Sequence, residues 1–383
     1  MGITIIGLGP GDERALTRGA WDTLCLAEEI YLRTRHHPTV EHLPADLTLH
    51  TFDELYEQHD SFADVYDAIA QEVVRLGGRP QGVLYGVPGH PLVGESSVQR
   101  ILALAPAAGL AVRLIGGLSF VEAALESLGI DALDGIQIAD GTQIAQSHHP
   151  WLNPDLPALI AQVYNRVVAS DVKLALMNLY HDDHPVVLVQ GADGPVPSRR
   201  KIKLYELDWQ DDLDHLTTLY VPPVERRSST AAFHDVIARL RAPGGCPWDR
   251  EQTHQSLQGN LLEETYEVLA AIDADDPVEL CEELGDLLLQ IVLHAQIATE
   301  EATFKAVDVL QGITAKMERR HPHVFGDAQA DDSDTVLRNW EQIKRAERGD
   351  PHRSLFEGIP AGLPALAQAM ALQRRAARVG FDW

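Results

Sequence analysis

Between residues 261 and 300 the apolar positions spell out two helices. Leu261, Val268 and Ile272 recur at helical spacing, and Leu262 and Leu269 widen the stripe. At ~100° per residue, Glu264 and Glu267 line one edge of that stripe and Glu263 lies further round. Asp273-Ala274-Asp275-Asp276-Pro277 breaks the pattern, with Asp276 suited to an N-cap and Pro277 to the first position of a new helix. The second helix, Pro277 to about Glu300, carries Leu284, Leu287, Leu288, Leu289, Ile291, Val292 and Leu293 around most of its girth, so burial on several sides is expected. Glu283, Asp286 and Gln290 form a narrow polar stripe between Leu287 and Leu293.

Upstream the periods change. Ile3–Ile6 predicts a short buried strand, followed by Gly7-Leu8-Gly9-Pro10-Gly11-Asp12 and a helix around Leu16–Ala27. A strand, a glycine loop and a helix suit a nucleotide or cofactor cradle, although the dinucleotide fingerprint fails because its sixth position is Asp12. A tight turn with no ligand fits the same residues. Gly82–Tyr85 is a strand leading into Gly86–Gly94, with a helix starting near Glu95 or Ser96. Ala111–Ile115 is the next strand; Gly116-Gly117-Leu118-Ser119 ends it, and Ser119 can cap a helix through Leu128. Further strands are predicted at Val172–Met177, Val186–Gln190 and Lys201–Leu207. The acidic run Asp208–Asp212 and Tyr220-Val221-Pro222-Pro223 mark a boundary across residues 208–227.

From residue 228 the pattern is helical. Ser228, Ser229 or Thr230 can cap a helix at Ala231–Arg241, which stops at Ala242-Pro243-Gly244-Gly245. Cys246-Pro247-Trp248-Asp249 reads as a loop holding a half-buried cysteine. Beyond the acidic hairpin come helices at about Lys305–Arg320 and Asp334–Arg348, then a loop at Leu355–Pro360 and an amphipathic helix at Leu363–Val379 with Arg374, Arg375 and Arg378 on its polar side. Gly380-Phe381-Asp382-Trp383 follows. The 383 residues thus divide into an α/β part at 1–223, an all-α part at 228–349 and a tail at 350–383.

Composition narrows the function. The formal charge of −26 argues against wrapping a nucleic-acid backbone. No apolar run is long enough for a bilayer, and the first residues resemble a strand rather than a signal peptide, so a cytoplasmic protein with no membrane partner is expected. Three scattered cysteines offer neither a disulfide framework nor a CxxC site.

The candidate chemistry lies in the hairpin. Counted from a turn near Asp275, Glu267 matches Glu283 and Glu264 matches Asp286, so in an antiparallel pair the four acids face one another. Facing carboxylates repel strongly without a cation, and hard oxygen ligands suit Mg²⁺ or Mn²⁺. The alternative of two solvated acidic faces conflicts with the leucines hemming in the second helix. Lys316 and Arg320 share a helix face, as do Trp340 and Lys344. These cations suit either compensation of a helix dipole or a phosphate clamp beside the metal. His321 and His323, spaced around Pro322, make a poor zinc pair.

Two family resemblances follow from these motifs. Gly7-Leu8-Gly9-Pro10-Gly11-Asp12, the Gly-x-Pro loop before Leu92-Val93 and Gly116-Gly117-Leu118-Ser119-Phe120 resemble the tetrapyrrole (corrin/porphyrin) methylases. That resemblance covers about residues 1–223. It implies a two-lobed α/β fold holding S-adenosylmethionine, with Leu8, Val93, Ser119 and Phe120 touching the cofactor. Where that family shows Gly-Asp-Pro, this chain has Gly89-His90-Pro91, a departure that bears on cofactor binding and methyl transfer.

Gly245-Cys246-Pro247-Trp248-Asp249, Glu263-Glu264-x-x-Glu267, Glu283-x-x-Asp286 and the Lys316…Arg319-Arg320-His321-Pro322-His323-Val324-Phe325 run resemble the MazG family of nucleoside triphosphate pyrophosphohydrolases. The order of the halves is similar to fused proteins of the YabN type. The resemblance implies an all-α MazG bundle that hydrolyses NTPs or dNTPs to the monophosphate and pyrophosphate. It implies Mg²⁺ (or Mn²⁺) held by Glu264, Glu267, Glu283 and Asp286, and Glu263 as an outer-sphere acid positioning water. Lys316, Arg320 and Lys344 would then contact phosphates, and Trp340 would pack on the nucleotide. The alternative is a methyltransferase whose helical half regulates or dimerises. The apolar girth of the second helix leads to the expectation of a homodimer built through this half. In the MazG family a segment like 350–383 often leads into a second MazG unit; here the sequence given stops at Trp383.

Overall fold

The computed structural model describes residues 1–11, 13–59, 61–191, 198–330, 332–347, 356–360, 362–377 and 380–381. Asp12, Arg348, Leu355, Arg378, Val379, Asp382 and Trp383, which the sequence reading draws on, lie outside the described residues. The chain forms two compact units, Met1–Phe233 and His234–Trp383.

The first half of unit one runs β1 (Ile3–Gly7), α1 (Arg18–Leu26), β2 (Glu29–Leu32), β3 (Thr48–Thr51), α2 (Asp53–Gln58), α3 (Phe62–Gly77), β4 (Val83–Val87), α4 (Ser96–Leu104), β5 (Val112–Ile115) and α5 (Phe120–Leu128). The strands form an all-parallel sheet in the order β3-β2-β4-β1-β5. Both faces are covered, which is why β1 reads as a continuous apolar run. Ile3, Ile5 and Tyr85 pack on one side with Ile69 and Val73 of α3, while Ile6, Leu8, Ile30 and Leu32 pack on the other with Leu24 of α1.

The second half continues with β6 (Gln137–Asp140), α6 (Gly141–Gln146), β7 (Ala158–Ala161), α7 (Arg166–Leu176), β8 (Pro185–Gln190), β9 (Ser198–Lys203) and β10 (Thr217–Val221). Its mixed sheet has the order β6-β7-β10-β8-β9 and buries Ile160, Leu188 and Leu219 against α7.

Val172–Met177 is not a strand but the end of α7 and its cap. Asn165 accepts from Val168 N at 2.9 Å and starts a helix in which Ala169, Val172 and Leu176 share the buried face. β9 ends at Lys203 instead of running to Leu207, because the Glu206 carboxylate accepts the Lys203 amide at 2.8 Å and the chain enters a 3₁₀ turn over Leu204–Trp209. The acidic run belongs to the fold of unit one. Asp208 takes Lys173 at 2.6 Å, Asp211 takes Arg166 at 3.1 Å and Asp212 takes Arg200 at 2.6 Å. β10 then lies between β7 and β8, and the two prolines after Val221 end it.

Beside the first sheet a buried polar cluster adjoins the core at Tyr85. Arg33, just after β2, pairs with Glu95, the N-cap residue of α4, whose side chain is 3% exposed. Ser97 Oγ donates to Glu95 Oε2 at 3.1 Å and lies 2.9 Å from the Tyr85 hydroxyl. Burial works against the Arg33 charge, but Glu95 together with the nearby Tyr56, Tyr66 and Tyr85 outweighs it and holds the guanidinium above its ordinary value.

Unit two is helical. α8 (Thr230–Arg241) opens in unit one, with Ser229 Oγ accepting from Ala232 N at 3.1 Å. Cys246-Pro247-Trp248-Asp249 is not all loop: α9 (Pro247–Glu251) starts at the proline, whose fixed φ favours a first helical turn. α10 (Gln258–Ala274) and α11 (Pro277–Glu300) form the hairpin, followed by α12 (Ala306–Arg320), α13 (Pro322–Phe325), α14 (Ser333–Glu347) and α15 (Ala365–Ala377). Arg241 binds Glu300 at 2.8 Å and ties the end of α8 to that of α11. The wide burial expected of α11 holds only from Val292 onward. Val292, Leu293, Ala295 and Ile297 are buried, whereas Leu284, Leu288 and Ile291 are 49%, 42% and 49% exposed in the single chain.

Candidate active site

The turn between α10 and α11 is fixed locally. Asp275 takes a left-handed conformation, φ 53°, and its amide donates to Ile272 O at 3.1 Å. Asp276 Oδ1 then accepts from Val278 N at 3.0 Å and Glu279 N at 3.1 Å, a cap worth about 1 kcal/mol. This tight reversal sets the register in which the acids meet.

Glu264, Glu267 and Glu283 each offer a carboxylate oxygen, and the three oxygens lie within 4.8 Å of one another. Burial, then Asp286, Glu267 and Glu263, push the Glu264 carboxyl up from its ordinary range. Burial, then Glu267, Glu279, Asp286 and Glu264, do the same for Glu283. Glu267 and Asp286 thus both act on Glu264 and on Glu283, although Asp286 stands outside the tight trio. Glu279 was not singled out from the sequence; it sits four residues before Glu283, a spacing that could have revealed it. A set of hard oxygens this close, mutually repelling, fits a divalent cation with oxygen preference.

Two further features continue the polar seam of α11. Gln290 is 4% exposed, and its Oε1 has no hydrogen-bond partner among the described residues. His294, four residues on, stacks against His254 with ring centroids 5.1 Å apart and Nδ1···Nδ1 at 2.8 Å. Burial and then His254 lower the His294 pKa. The four-residue steps Asp286, Gln290, His294 carry the signal for this extension, but nothing in the sequence points to His254.

The cations gather on α12 and α14. Arg320 lies with its guanidinium carbon 5.3 Å from the Trp340 ring centroid, and Lys344 Nζ lies 4.4 Å from the same centroid. Lys316 is exposed one turn before Arg320. Trp340 thus already carries two cations in this structure. Glu347, absent from the sequence reading, binds both Arg319 and Arg320. His321 and His323 stand with ring centroids 5.7 Å apart, and His321 Nδ1 is taken by Met317 O at 2.7 Å.

In unit one the loops after β1, β4 and β5 close on one another. A Cβ on Gly7 would stand 2.4 Å from Gly89 O, and one on Gly117 would stand equally near it, so only glycine fits either place. Gly89 N donates to Gly9 O at 2.7 Å. Ser119 caps α5: its Oγ accepts from Val121 N at 3.1 Å, and its amide donates to Glu122 at 2.7 Å. Val93 and Phe120 pack on the Val121–Ala124–Leu159 cluster, while the Leu8 side chain is buried in a different core with Ile6 and Leu24. A ligand on this loop would therefore meet Leu8 through its backbone. His90 Nδ1 accepts from Leu92 N at 3.1 Å and its ring lies against Gly116, so the histidine braces its own loop.

Residues 252–325 match the model of the MazG nucleotide pyrophosphohydrolase domain, and residues 2–195 match that of the tetrapyrrole (corrin/porphyrin) methylases. YabN of Bacillus subtilis is 43% identical over 382 residues, covering 97% of this chain and 76% of that one. The nucleoside triphosphate pyrophosphohydrolase of Escherichia coli is 51% identical over 150 residues, or 39% of this chain and 57% of that protein. The MazG nucleoside triphosphate pyrophosphohydrolase/pyrophosphatase of Thermotoga maritima is 46% identical over 148 residues, or 39% and 56%. The chain thus matches a little over half the length of those two relatives. Among solved structures, a uroporphyrin-III-C-methyltransferase from Thermus thermophilus aligns with TM-score 0.44 at 20% identity, covering 58% of this chain and 91% of that one. Described helices include none long and apolar enough to cross a membrane. With identity to YabN along nearly its whole length, and with two domain models matched in tandem, the chain belongs to the YabN family, a tetrapyrrole methylase-like half followed by a MazG half.

Proposed function

We propose that unit two is a Mg²⁺-dependent nucleoside triphosphate pyrophosphohydrolase, releasing nucleoside monophosphate and pyrophosphate. The observation that carries this is the oxygen trio of Glu264, Glu267 and Glu283 within 4.8 Å, with Asp286 acting on it. These four acids would hold the metal. Bound there, the ion would neutralise charge on the triphosphate. Glu263, one residue before a ligand and acting on Glu264, is assigned to orient the attacking water. Water attacks the α-phosphorus, the bond to the α–β bridging oxygen breaks, and pyrophosphate leaves. Lys316, Arg320 and Lys344 are assigned to the phosphates, where charge spreads in the transition state. Trp340 is assigned to the nucleotide, with its ring also supporting Arg320 and Lys344. Incubation with a panel of NTPs and dNTPs is the test. Pyrophosphate release is expected with Mg²⁺, lost in EDTA and restored by excess Mg²⁺; release that persists in EDTA would sink the metal assignment.

The exposed Leu284, Leu288 and Ile291 favour a homodimer through unit two, since a single chain leaves this apolar face of α11 in water. Light scattering giving the mass of one chain at micromolar concentration would overturn that. For unit one, S-adenosylmethionine binding is assigned to the glycine loops with Val93, Ser119 and Phe120, and is supported by the match to the methylase model. A calorimetric titration without heat would count against it, and methyl transfer would go with it.

A further inference from the structure

Arg319 and Arg320 are adjacent at the end of α12, and both turn to one carboxylate. Glu347 Oε1 accepts from Arg319 Nε at 2.7 Å, and Glu347 Oε2 accepts from Arg320 Nη2 at 2.5 Å and Nε at 3.2 Å. The Glu347 side chain is 20% exposed and that of Arg320 14%. Arg320, then Arg319, pull the Glu347 carboxyl down to about 2, so it stays ionised at any working pH.

The pairing does more than neutralise charge. A guanidinium is a rigid planar fork with five donors. Glu347 takes the Nε edge of Arg320, and the Trp340 ring lies 5.3 Å from its Cζ. Those two restraints fix both the position and the plane of the fork, and they leave the Nη1 side to a further acceptor. The same carboxylate holds Arg319, which would otherwise repel its neighbour. Glu318 lies two residues before Arg320, but the carboxylate that holds the fork comes from 27 residues away, on α14.

We propose that Glu347 is the positioning residue of the phosphate clamp, holding Arg320 ready to receive a phosphate oxygen before substrate arrives. This rests on the triphosphate reading of unit two. Preorganisation of this kind raises affinity and rate by removing the cost of ordering a long side chain at the moment of binding. An ion pair serving only stability would instead leave phosphate binding unchanged.

The test is a double-mutant cycle on the full chain with Glu347→Gln, Arg320→Lys and both, the lysine keeping charge but not the fork. Two readouts are needed besides thermal stability: kcat and KM for the best nucleotide, and the calorimetric Kd for inorganic tripolyphosphate with Mg²⁺. Glu347→Gln is expected to lower kcat/KM about 10-fold and to weaken tripolyphosphate several-fold, roughly the loss of one charge-assisted contact. In the Arg320→Lys background the same change should alter neither by more than about twofold, because the fork it positions is gone. Independent, multiplying effects would overturn the role, and so would unchanged binding. Tighter tripolyphosphate binding by Glu347→Gln would also overturn it, since the carboxylate would then merely screen the arginines. Tripolyphosphate binding needs no turnover. A chain that cleaves no nucleotide would therefore sink the hydrolase reading while the cycle still reports on Glu347.

Discussion

Glu264→Gln is expected to lower nucleotide hydrolysis on the order of 10²- to 10³-fold or more, while leaving the fold intact. The substitution keeps the shape of the side chain and removes one charged oxygen from the trio with Glu267 and Glu283. The sign of its effect on stability separates a metal site from a structural one. Glu264 is pushed up by burial and by Asp286, Glu267 and Glu263, so in the metal-free chain its ionised form is disfavoured in the fold. A carboxyl whose folded value is raised contributes stability below its unfolded value, about 4.3, and loses it as pH rises through the folded value. At neutral pH the metal-free fold therefore bears the full repulsion. Glu264→Gln relieves part of it, so without metal the variant should melt no lower than the unaltered chain. Mg²⁺ should raise the melting temperature of the unaltered chain and do so much less for the variant. Full activity in Glu264→Gln, or a collapse of its metal-free stability, would contradict the assignment.

The largest effect on stability is expected in unit one. Glu95→Ala leaves the Arg33 guanidinium largely buried without its carboxylate and removes the acceptor of Ser97 Oγ. Breaking a buried pair from one side costs about 3–5 kcal/mol, because the remaining charge stays desolvated. Replacing both members by apolar residues, as in Arg33→Met with Glu95→Leu, should recover most of that loss, since the pair's attraction was already offset by its desolvation. Denaturant unfolding of unit one would measure both. A loss below about 1 kcal/mol for Glu95→Ala would mean that water reaches Arg33, and that this cluster is not the closed unit it resembles.

The acids were legible because charge is rare inside a leucine-rich helix: Glu283 and Asp286 stand out against Leu284, Leu287 and Leu288, and the distance of each from the turn gives the facing pairs. The Ser119 cap was equally plain, since N-capping is a local event read over three residues. What failed was either too short or too distant to read. β2, β3, β6 and β7 have four residues each, only two to a face, and drew no prediction, whereas β5, equally short, is marked by the Gly116-Gly117 that ends it. Val172–Met177 offered an apolar run consistent with strand or helix, and Asn165, lying outside the run, decided it. The partners His254 and His294 are 40 residues apart, and Arg320 and Glu347 are 27 apart. No helical or strand period links positions so far apart; only tertiary packing does. The exposed face of α11 at Leu284, Leu288 and Ile291 has the opposite origin. Its sequence has the girth of a buried helix, and a single chain covers only one side of it.

The proposed reaction is hydrolysis between the α and β phosphates at the hairpin acids. The most direct measurement is product identification by chromatography after one nucleoside triphosphate is turned over in Mg²⁺ by the unaltered chain and by Glu264→Gln in parallel. Monophosphate and pyrophosphate in equal amounts are expected from the first and neither from the second. Diphosphate and inorganic phosphate, or products in equal yield from both proteins, would contradict it.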